Sequence, residues 1–355
     1  MQQAIIDQYK AIIRAASENK SPLQIRGGGT KHFYGNSSFG QGDIVLDTTM
    51  YHGIIDYEPT ELIITACAGT RLTDLESLLA QHGQMLAFEP SHFGANATFG
   101  GCMAVGLSGP RRAAAGAARD FILGMRLLDG KGRDLRFGGQ VMKNVAGYDV
   151  SRLMVGAMGT LLEISFKVLP KPPVEITLRM PMDEAAAIER MNQWAGKPLP
   201  ISATCYVEGV LFLRLSGAES AVRAAQEKLG GEELVEGRDF WQSVREQRHD
   251  FFQSDKLLWR LSIKSTTTPV ALPGKQLLEW NGGLRWLLCD ADVDQKIVRK
   301  MAKDAGGHAT LFRSHEFRNA VFHPLDPAMM KIHRLLKEQF DPSKIFNPGR
   351  LYPEF

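Results

Sequence analysis

The sequence predicts an α+β protein built in two parts. Three observations carry this. Short strands rich in Ile, Val and Thr run into glycine-rich loops in the first half. A strand–helix–strand–strand–helix order opens the second half, which suits an antiparallel sheet with helices on one face. Between them stands Pro170-Lys171-Pro172-Pro173, a stiff connector that marks a domain boundary.

At 355 residues, the chain is long for one core and suits two domains. Hydrophobic residues at 44% and charged residues at 23% exclude a mostly disordered chain. The net charge of +3, from 42 basic and 39 acidic residues, argues against a nucleic-acid field. Cys67, Cys102, Cys205 and Cys289 stand singly, with no C-x-x-C pair, and read as small core residues in a reducing compartment. No metal site is expected.

At the N-terminus, Ile5, Ile6, Tyr9, Ile12, Ile13 and Ala16 recur at helical spacing, which predicts an amphipathic docking helix rather than a signal peptide. Strands follow at 23–26, 44–47, 54–57 and 62–67. A helix over 70–82 contains Thr73-x-x-Glu76 at capping-box spacing. Then come a strand at 84–88, a short helix opened by Thr98-Phe99-Gly100-Gly101, and a hairpin turning at Asp129-Gly130. A helix over 148–155 and a strand over 160–169 complete this half. In the second half, strands are expected at 174–179, 201–208, 210–216, 257–263, 284–289 and 308–312. Helices are expected at 183–194, 218–229, 292–305 and 327–340.

Gly27-Gly28-Gly29-Thr30 is the first informative motif. Consecutive glycines after a strand can turn several N–H groups inward as an anion nest, or form a plain loop. Thr98-Phe99-Gly100-Gly101 opens a helix whose first N–H groups are expected to be free and positive. Two such sites suit a diphosphate bridging two nucleotide halves. Neither the G-x-G-x-x-G pattern nor the Walker pattern is present, so another fold must hold such a ligand.

The ordered set of motifs resembles the flavin-binding domain of the vanillyl-alcohol-oxidase-type flavoproteins, the PCMH fold. The matching pieces are Arg26–Thr30; Phe99–Ala104 with Ser108-Gly109; Ile122–Leu128 with Asp129-Gly130; Gly147-Tyr148-Asp149; Arg152-Leu153; Gly156–Leu161; and Phe346-Asn347-Pro348-Gly349. Within that family the chain is similar to the small FAD-binding subunits of bacterial glycolate oxidases. The resemblance implies a PCMH-type FAD-binding domain of two α/β subdomains over residues 1–172. A smaller ferredoxin-like antiparallel α+β cap would span 173–340, and a tail over 341–355 would return to the flavin domain.

The same resemblance implies the contacts. Gly27, Gly28, Gly29 and Thr30 would wrap the pyrophosphate of FAD, with Thr98, Gly100 and Gly101 on its other side. Ile122 would meet the adenine end by its backbone. Ile164 would lie near the ribityl chain or the ring, and Asn347 would approach the ring from the tail. Arg26, Lys31, Pro90, Ser91, Ser108 and Gly159 complete the expected cofactor set. Covalent relatives carry a His directly after two glycines in the first loop; Gly29 or Thr30 stands there, so noncovalent FAD is expected.

Oxidising a 2-hydroxy acid needs a hydride acceptor, a base and a cation or metal for the carboxylate. The paired histidines and the Gly-Glu-His-Gly segment of catalytic relatives are absent. His308, Arg313 and His315 are the remaining catalytic candidates, with Arg318 and His323 nearby. The expected function is therefore the FAD-binding subunit of a glycolate oxidase complex. A larger FAD-linked catalytic subunit and an iron–sulfur subunit would be its partners, with a small 2-hydroxy acid as substrate and no nucleic acid. A self-sufficient D-lactate or glycolate dehydrogenase and a non-catalytic scaffold remain the alternatives. The expected location is cytoplasmic, reaching the inner face of the membrane only through the complex.

Overall fold

In the computed structural model, residues 2–37, 44–139, 149–314 and 319–355 are described. The expectations placed on Gly147, Tyr148, His315 and Arg318 fall outside them. The chain opens with α1 (Gln2–Asn19), which buries Ile6, Tyr9, Ile13 and Ala16, the stripe that its periodicity predicts. β1 (Leu23–Arg26) and β2 (Ile44–Asp47) pair in parallel as a small sheet of their own. The tail extends that sheet: Leu23 N–H donates to Ile345 O at 2.7 Å, and Asn347 N–H donates to Leu23 O at 2.9 Å.

β3 (Ile54–Glu58) and β4 (Ile63–Cys67) belong to a second, five-stranded sheet. Between its strands come α2 (Leu72–Gln81), β5 (Gln84–Met85), α3 (Phe99–Val105) and α4 (Arg112–Ala115). The sheet continues with the hairpin β6 (Ile122–Leu128) and β7 (Asp134–Gly138), then α5 (Val150–Leu153) and β8 (Leu161–Lys167). Its order is β3-β4-β8-β6-β7. One face packs Cys67, Leu128 and Leu162 against α1 and the small sheet. The other packs Ile64, Met125, Ile164 and Phe166 against α2 and α3. Two subdomains thus share one sheet, and loops from both meet at their seam.

Local details differ from expectation for identifiable reasons. Thr73 does not cap α2. The helix starts at Leu72, whose N–H donates to Ala97 O across the loop, so tertiary contact replaces a local cap. The β6–β7 hairpin does not turn tightly at Asp129-Gly130. Buried Asp129 accepts from Lys131 N–H, Arg133 N–H and Arg133 Nε, making a wider loop with its positive φ at Gly132. The strand expected at 84–88 stops at Met85. The connector is fastened rather than free. β9 (Leu169–Pro170) pairs with β5, and Lys171 N–H donates to Gly83 O at 2.7 Å.

The second half contains β10 (Val174–Pro181), α6 (Glu184–Ala195), β11 (Ile201–Val207), β12 (Val210–Gly217), α7 (Glu219–Leu229) and β13 (Glu232–Glu233). It continues with α8 (Gly237–Arg245), β14 (Leu257–Ser262), β15 (Lys275–Glu279), β16 (Leu284–Cys289), α9 (Gln295–Asp304), β17 (His308–Arg313) and α10 (Pro327–Phe340). The antiparallel α+β cap is as expected, and its sheet is eight strands wide, in the order β13-β10-β12-β11-β15-β16-β14-β17. α8 and β15 escape the periodicity reading because each is short and lies among turn residues. One face of the sheet buries Leu178, Leu213, Trp259 and Leu287 under α6, α7 and α9. The other buries Leu277, Trp286 and Phe312 against Tyr34 and Leu107 of the first half. All four cysteines are free and buried.

Candidate functional site

A cleft opens where β1 ends. It is lined by Arg26, Gly27, Gly28, Gly29, Thr30 and Lys31. Thr98, Gly100 and Gly101 line it from α3, and Gly159 and Asn347 from the rim. A second hollow adjoins it across Arg26–Gly29 and Thr98 and runs toward Asp47, His52 and Arg71. The glycine loop is the wall that the two hollows share.

The geometry explains why glycine stands in that wall. A Cβ on Gly28 would lie 1.5 Å from Asn96 O, so only glycine allows the first loop to meet the 96–101 segment. Gly29 has φ +73°, the left-handed region that favours glycine. Among the described residues, the backbone N–H groups of Gly27 to Lys31 donate to no protein acceptor. Five successive backbone donors without a protein acceptor on a tight turn are the arrangement that suits an anion.

The α3 end behaves differently from the sequence expectation. Its first N–H groups are not free. Phe99 N–H donates to Thr70 O, Gly100 N–H to Ala68 O, and Gly101 N–H to the Thr98 side-chain oxygen. A Cβ on Gly100 would lie 2.5 Å from Ala68 Cβ. Its glycine therefore serves close packing of α3 on the sheet edge, and the donors left without a protein acceptor are those of the first loop.

The charges in the first hollow are all of one sign. Arg26, Lys31 and Arg350 line it, and no Asp or Glu does among the described residues. Burial lowers the Lys31 ammonium pKa, against the opposing pull of Cys102 and Glu246. Lys31 Nζ donates to His92 O at 3.1 Å. Burial also pushes the Arg350 guanidinium down to about 10. His32, at the same wall, is lowered by burial and then by Arg350 and Arg26. An anion in the cleft would offset the desolvation of Lys31 and Arg350, which also donate to His92 O and His32 O.

Asn347 acts as a clamp at the rim. Its Oδ1 accepts from Ile25 N–H at 3.0 Å and its Nδ2 donates to Met158 O at 2.8 Å. The side chain that was expected to approach a ring thus joins β1 to the turn before β8.

Five expected cofactor residues lie elsewhere. Ile122 and Ile164 sit in β6 and β8 with their side chains in the core, 4% and 0% exposed. Pro90 is buried in the loop after β5. Ser91 and Ser108 line a different, smaller pocket against the cap. The catalytic candidates do not gather at the cleft either. Arg313 is tied to Phe252 O and Gln247 Oε1 within the cap. His308 sits in β17 opposite Ser262. His315 lies outside the described residues. Asp149 and Arg152 form a local ion pair, at 3.1 Å.

Several residues that order the site gave no sequence signal. Glu246, just past α8, accepts from His92 N–H and Phe93 N–H at 3.0 and 2.9 Å, fixing the loop beside Lys31. Glu89 joins Arg111 and Arg214 across the two halves, with Glu175 completing the network. Arg260 and Glu279 had a readable signal: each interrupts an apolar strand, in Leu-Leu-Trp-Arg-Leu and Gln-Leu-Leu-Glu.

Comparison with known proteins gives the chain its family and its fold relatives. Residues 4–138 match the FAD binding domain family. Glycolate oxidase subunit GlcE of Escherichia coli (strain K12) is 47% identical over 99% of this chain and 97% of its own length. Glycolate oxidase subunit GlcD of Bacillus subtilis (strain 168) is 31% identical over 48% of this chain, and the match spans only 37% of that relative. The solved structure of p-cresol methylhydroxylase with substrate bound superposes with a TM-score of 0.73 at 16% identity, covering 99% of this chain and 88% of that one. That likeness shows the PCMH-type fold. With its glycine-loop cleft and its near full-length match, the chain belongs to the GlcE family of FAD-binding oxidoreductase subunits.

Proposed function

We propose that this chain is the noncovalent FAD-binding subunit of a glycolate oxidase complex, in which glycolate is oxidised to glyoxylate and electrons leave through an iron–sulfur partner. The observation that carries the reading is that, among the described residues, the N–H groups of Gly27 to Lys31 donate to no protein acceptor and no carboxylate lines the first hollow. These donors, with Arg26 and Lys31, suit the diphosphate of FAD, and the two adjoining hollows suit its two ends. Ala104, Val105 and Met158 offer apolar wall for a ring. Bound there, the flavin supplies hydride and electron transfer. The chain's own groups hold the anion, exclude water and set the rim through Asn347.

A partner surface supports the complex. α10 buries none of its residues, and Met329, Ile332 and Leu335 are exposed on one side of it. Such a stripe suits docking to another subunit. No helix among the described residues is long and apolar enough to cross a membrane.

The test is a visible spectrum of the purified chain, followed by glycolate without oxygen. A yellow protein that bleaches only when the partner subunits are added supports the reading. A chain that stays colourless after incubation with FAD removes it. Bleaching by glycolate with no partner present makes the chain an enzyme by itself.

A further inference from the structure

One layer of residues separates the glycine-loop cleft from a groove on the other side of the turn before β8. Met158, Gly159, Asn347 and Arg350 line both the cleft and this groove, which holds about 270 Å³. The groove runs between that turn and α10. Its walls are mainly apolar, with Leu153, Met154, Leu336, Phe340, Phe346 and Phe355 among them. Gly159 adds no side chain to the dividing layer, and the space a Cβ would take there is empty to 4 Å.

α10 is the outer bank of the groove, and its last turn is fastened. Lys337 Nζ donates to Phe346 O at 2.7 Å and pairs with Asp341 at 2.9 Å, and the Phe340 ring lies 6.1 Å from that of Phe137. Met329, Ile332, Leu335 and Leu336 share one side of the helix. Leu336 lines the groove, while Met329, Ile332 and Leu335 are 41%, 49% and 50% exposed. Leu153, on the opposite bank, is 46% exposed. A helix on a folded domain ordinarily buries such a stripe.

Four of the eleven exposed large hydrophobic residues among those described thus gather at one groove, which marks an interaction face rather than scattered exposure. Another group, Ile44, Val45, Met50, Ile54 and Ile55, lies at β2, β3 and the loop between; it borders the second hollow, which Met158 and Gly159 do not line. Only the α10 face therefore shares its wall with the first hollow. Electrons cross a closed wall of one residue layer, whereas substrate and water do not. The exposed charges of α10 are Lys331, Arg334 and Glu338, two cations to one carboxylate, which suits an acidic rim on the partner.

We propose that the α10 groove is the docking face of the iron–sulfur subunit, which draws electrons from the flavin through the Met158-Gly159 wall. The inference rests on the proposed function for both the cofactor and the partner, and it gives the electrons a place to leave this chain. The reduced flavin returns to its oxidised form by giving up two electrons and one proton. Two one-electron reductions of the partner's iron–sulfur cluster take the electrons, and solvent takes the proton.

The experiment photoreduces the FAD-loaded chain without oxygen, mixes it with a subsaturating amount of the oxidised iron–sulfur subunit, and follows flavin reoxidation; affinity for that subunit is measured in parallel. Ile332→Asp and Leu335→Asp put a charge on the face at positions already open to solvent, and Ile55→Asp, 42% exposed on β3, is the control. Both α10 variants are expected to keep the parent's flavin content and melting temperature. Their affinity for the iron–sulfur subunit should fall about tenfold or more, and reoxidation should slow in step. Reoxidation by ferricyanide, which needs no docking face, should stay at the parent's rate, and Ile55→Asp should behave as the parent throughout. α10 variants that bind and pass electrons as the parent does overturn the proposal. So does a parent chain that does not bind the subunit, lost affinity with unchanged reoxidation, or an equal loss in Ile55→Asp. Self-association of the parent that the variants abolish gives the face to a second copy, and binding to anionic lipid vesicles that they abolish gives it to a membrane; either overturns the proposal. A yellow chain whose α10 variants match the parent loses the docking face and keeps the cofactor reading. A colourless chain that binds the subunit through this face loses the cofactor reading, and with it the electron path.

Discussion

Gly28 is where the two loops of the cleft come closest. Any side chain there would collide with the Asn96 carbonyl, a backbone atom that cannot swing aside. The row of free N–H groups follows from that contact, because the loop keeps its turn only while it lies against residues 96–97. Gly28→Ala should therefore purify with less than about a tenth of the parent's flavin, since losing an aligned set of charge-assisted bonds costs several kcal/mol. The ratio of flavin to protein absorbance checks this. Gly196→Ala, at the end of α6 in the cap, is the control. The nearest atom to the position its Cβ would take is Gln193 O at 3.9 Å, and its flavin content should change far less.

β8 shows the element scale. It is the central strand of the five-stranded sheet, and Phe166 projects from it into the α2/α3 core with 0% exposure. Its ring lies 5.4, 5.7 and 5.6 Å from those of Phe88, Phe99 and Phe121. One side chain thus ties α3, which Thr98 caps, to the strand whose first residue, Leu161, lines the cleft. Phe166→Ala should destabilise the chain by about 3–5 kcal/mol, the cost of an aromatic-sized cavity. Chemical denaturation checks this, and the variant should also hold flavin less tightly because α3 loses its backing.

The two halves are locked by charge at the scale of the whole molecule. Glu89 accepts from Arg111 and from Arg214, and Glu175 bridges the same two arginines. Burial alone would raise the Glu89 carboxyl; Arg214 and Arg111 outweigh it and hold it below its ordinary value. Stability from this carboxylate is full above the unfolded carboxyl pKa of about 4.3 and is lost as pH falls through the lower folded value. Glu89→Gln should cost roughly 3 kcal/mol at pH 7, because two buried guanidinium groups lose a partner. It should also flatten the pH dependence of unfolding below about pH 4. Denaturant midpoints between pH 3 and 7 test both.

Much of the flavin fold was legible in local sequence. The α1 stripe, the glycine loop after β1, α10 and most strands of both sheets follow from periodicity and turn residues. These are short-range signals, because a helix face or a left-handed turn is specified by residues a few positions apart. What tertiary structure decided is which of those groups are left free. Gly27-Gly28-Gly29 and Gly100-Gly101 look alike in sequence, yet one loop keeps its N–H groups and the other gives them to Thr70, Ala68 and Thr98. Asn347 was legible as a site residue, but not as the clamp between Ile25 and Met158. The pairing of Glu89 with Arg214 joins residues more than a hundred positions apart in the chain. It leaves no local pattern. Hydrogen-bond satisfaction and ion pairing are properties of the assembled interior, so the sequence by itself determined the family and the cofactor, and only the packed structure decided which donors and charges remain to meet a ligand.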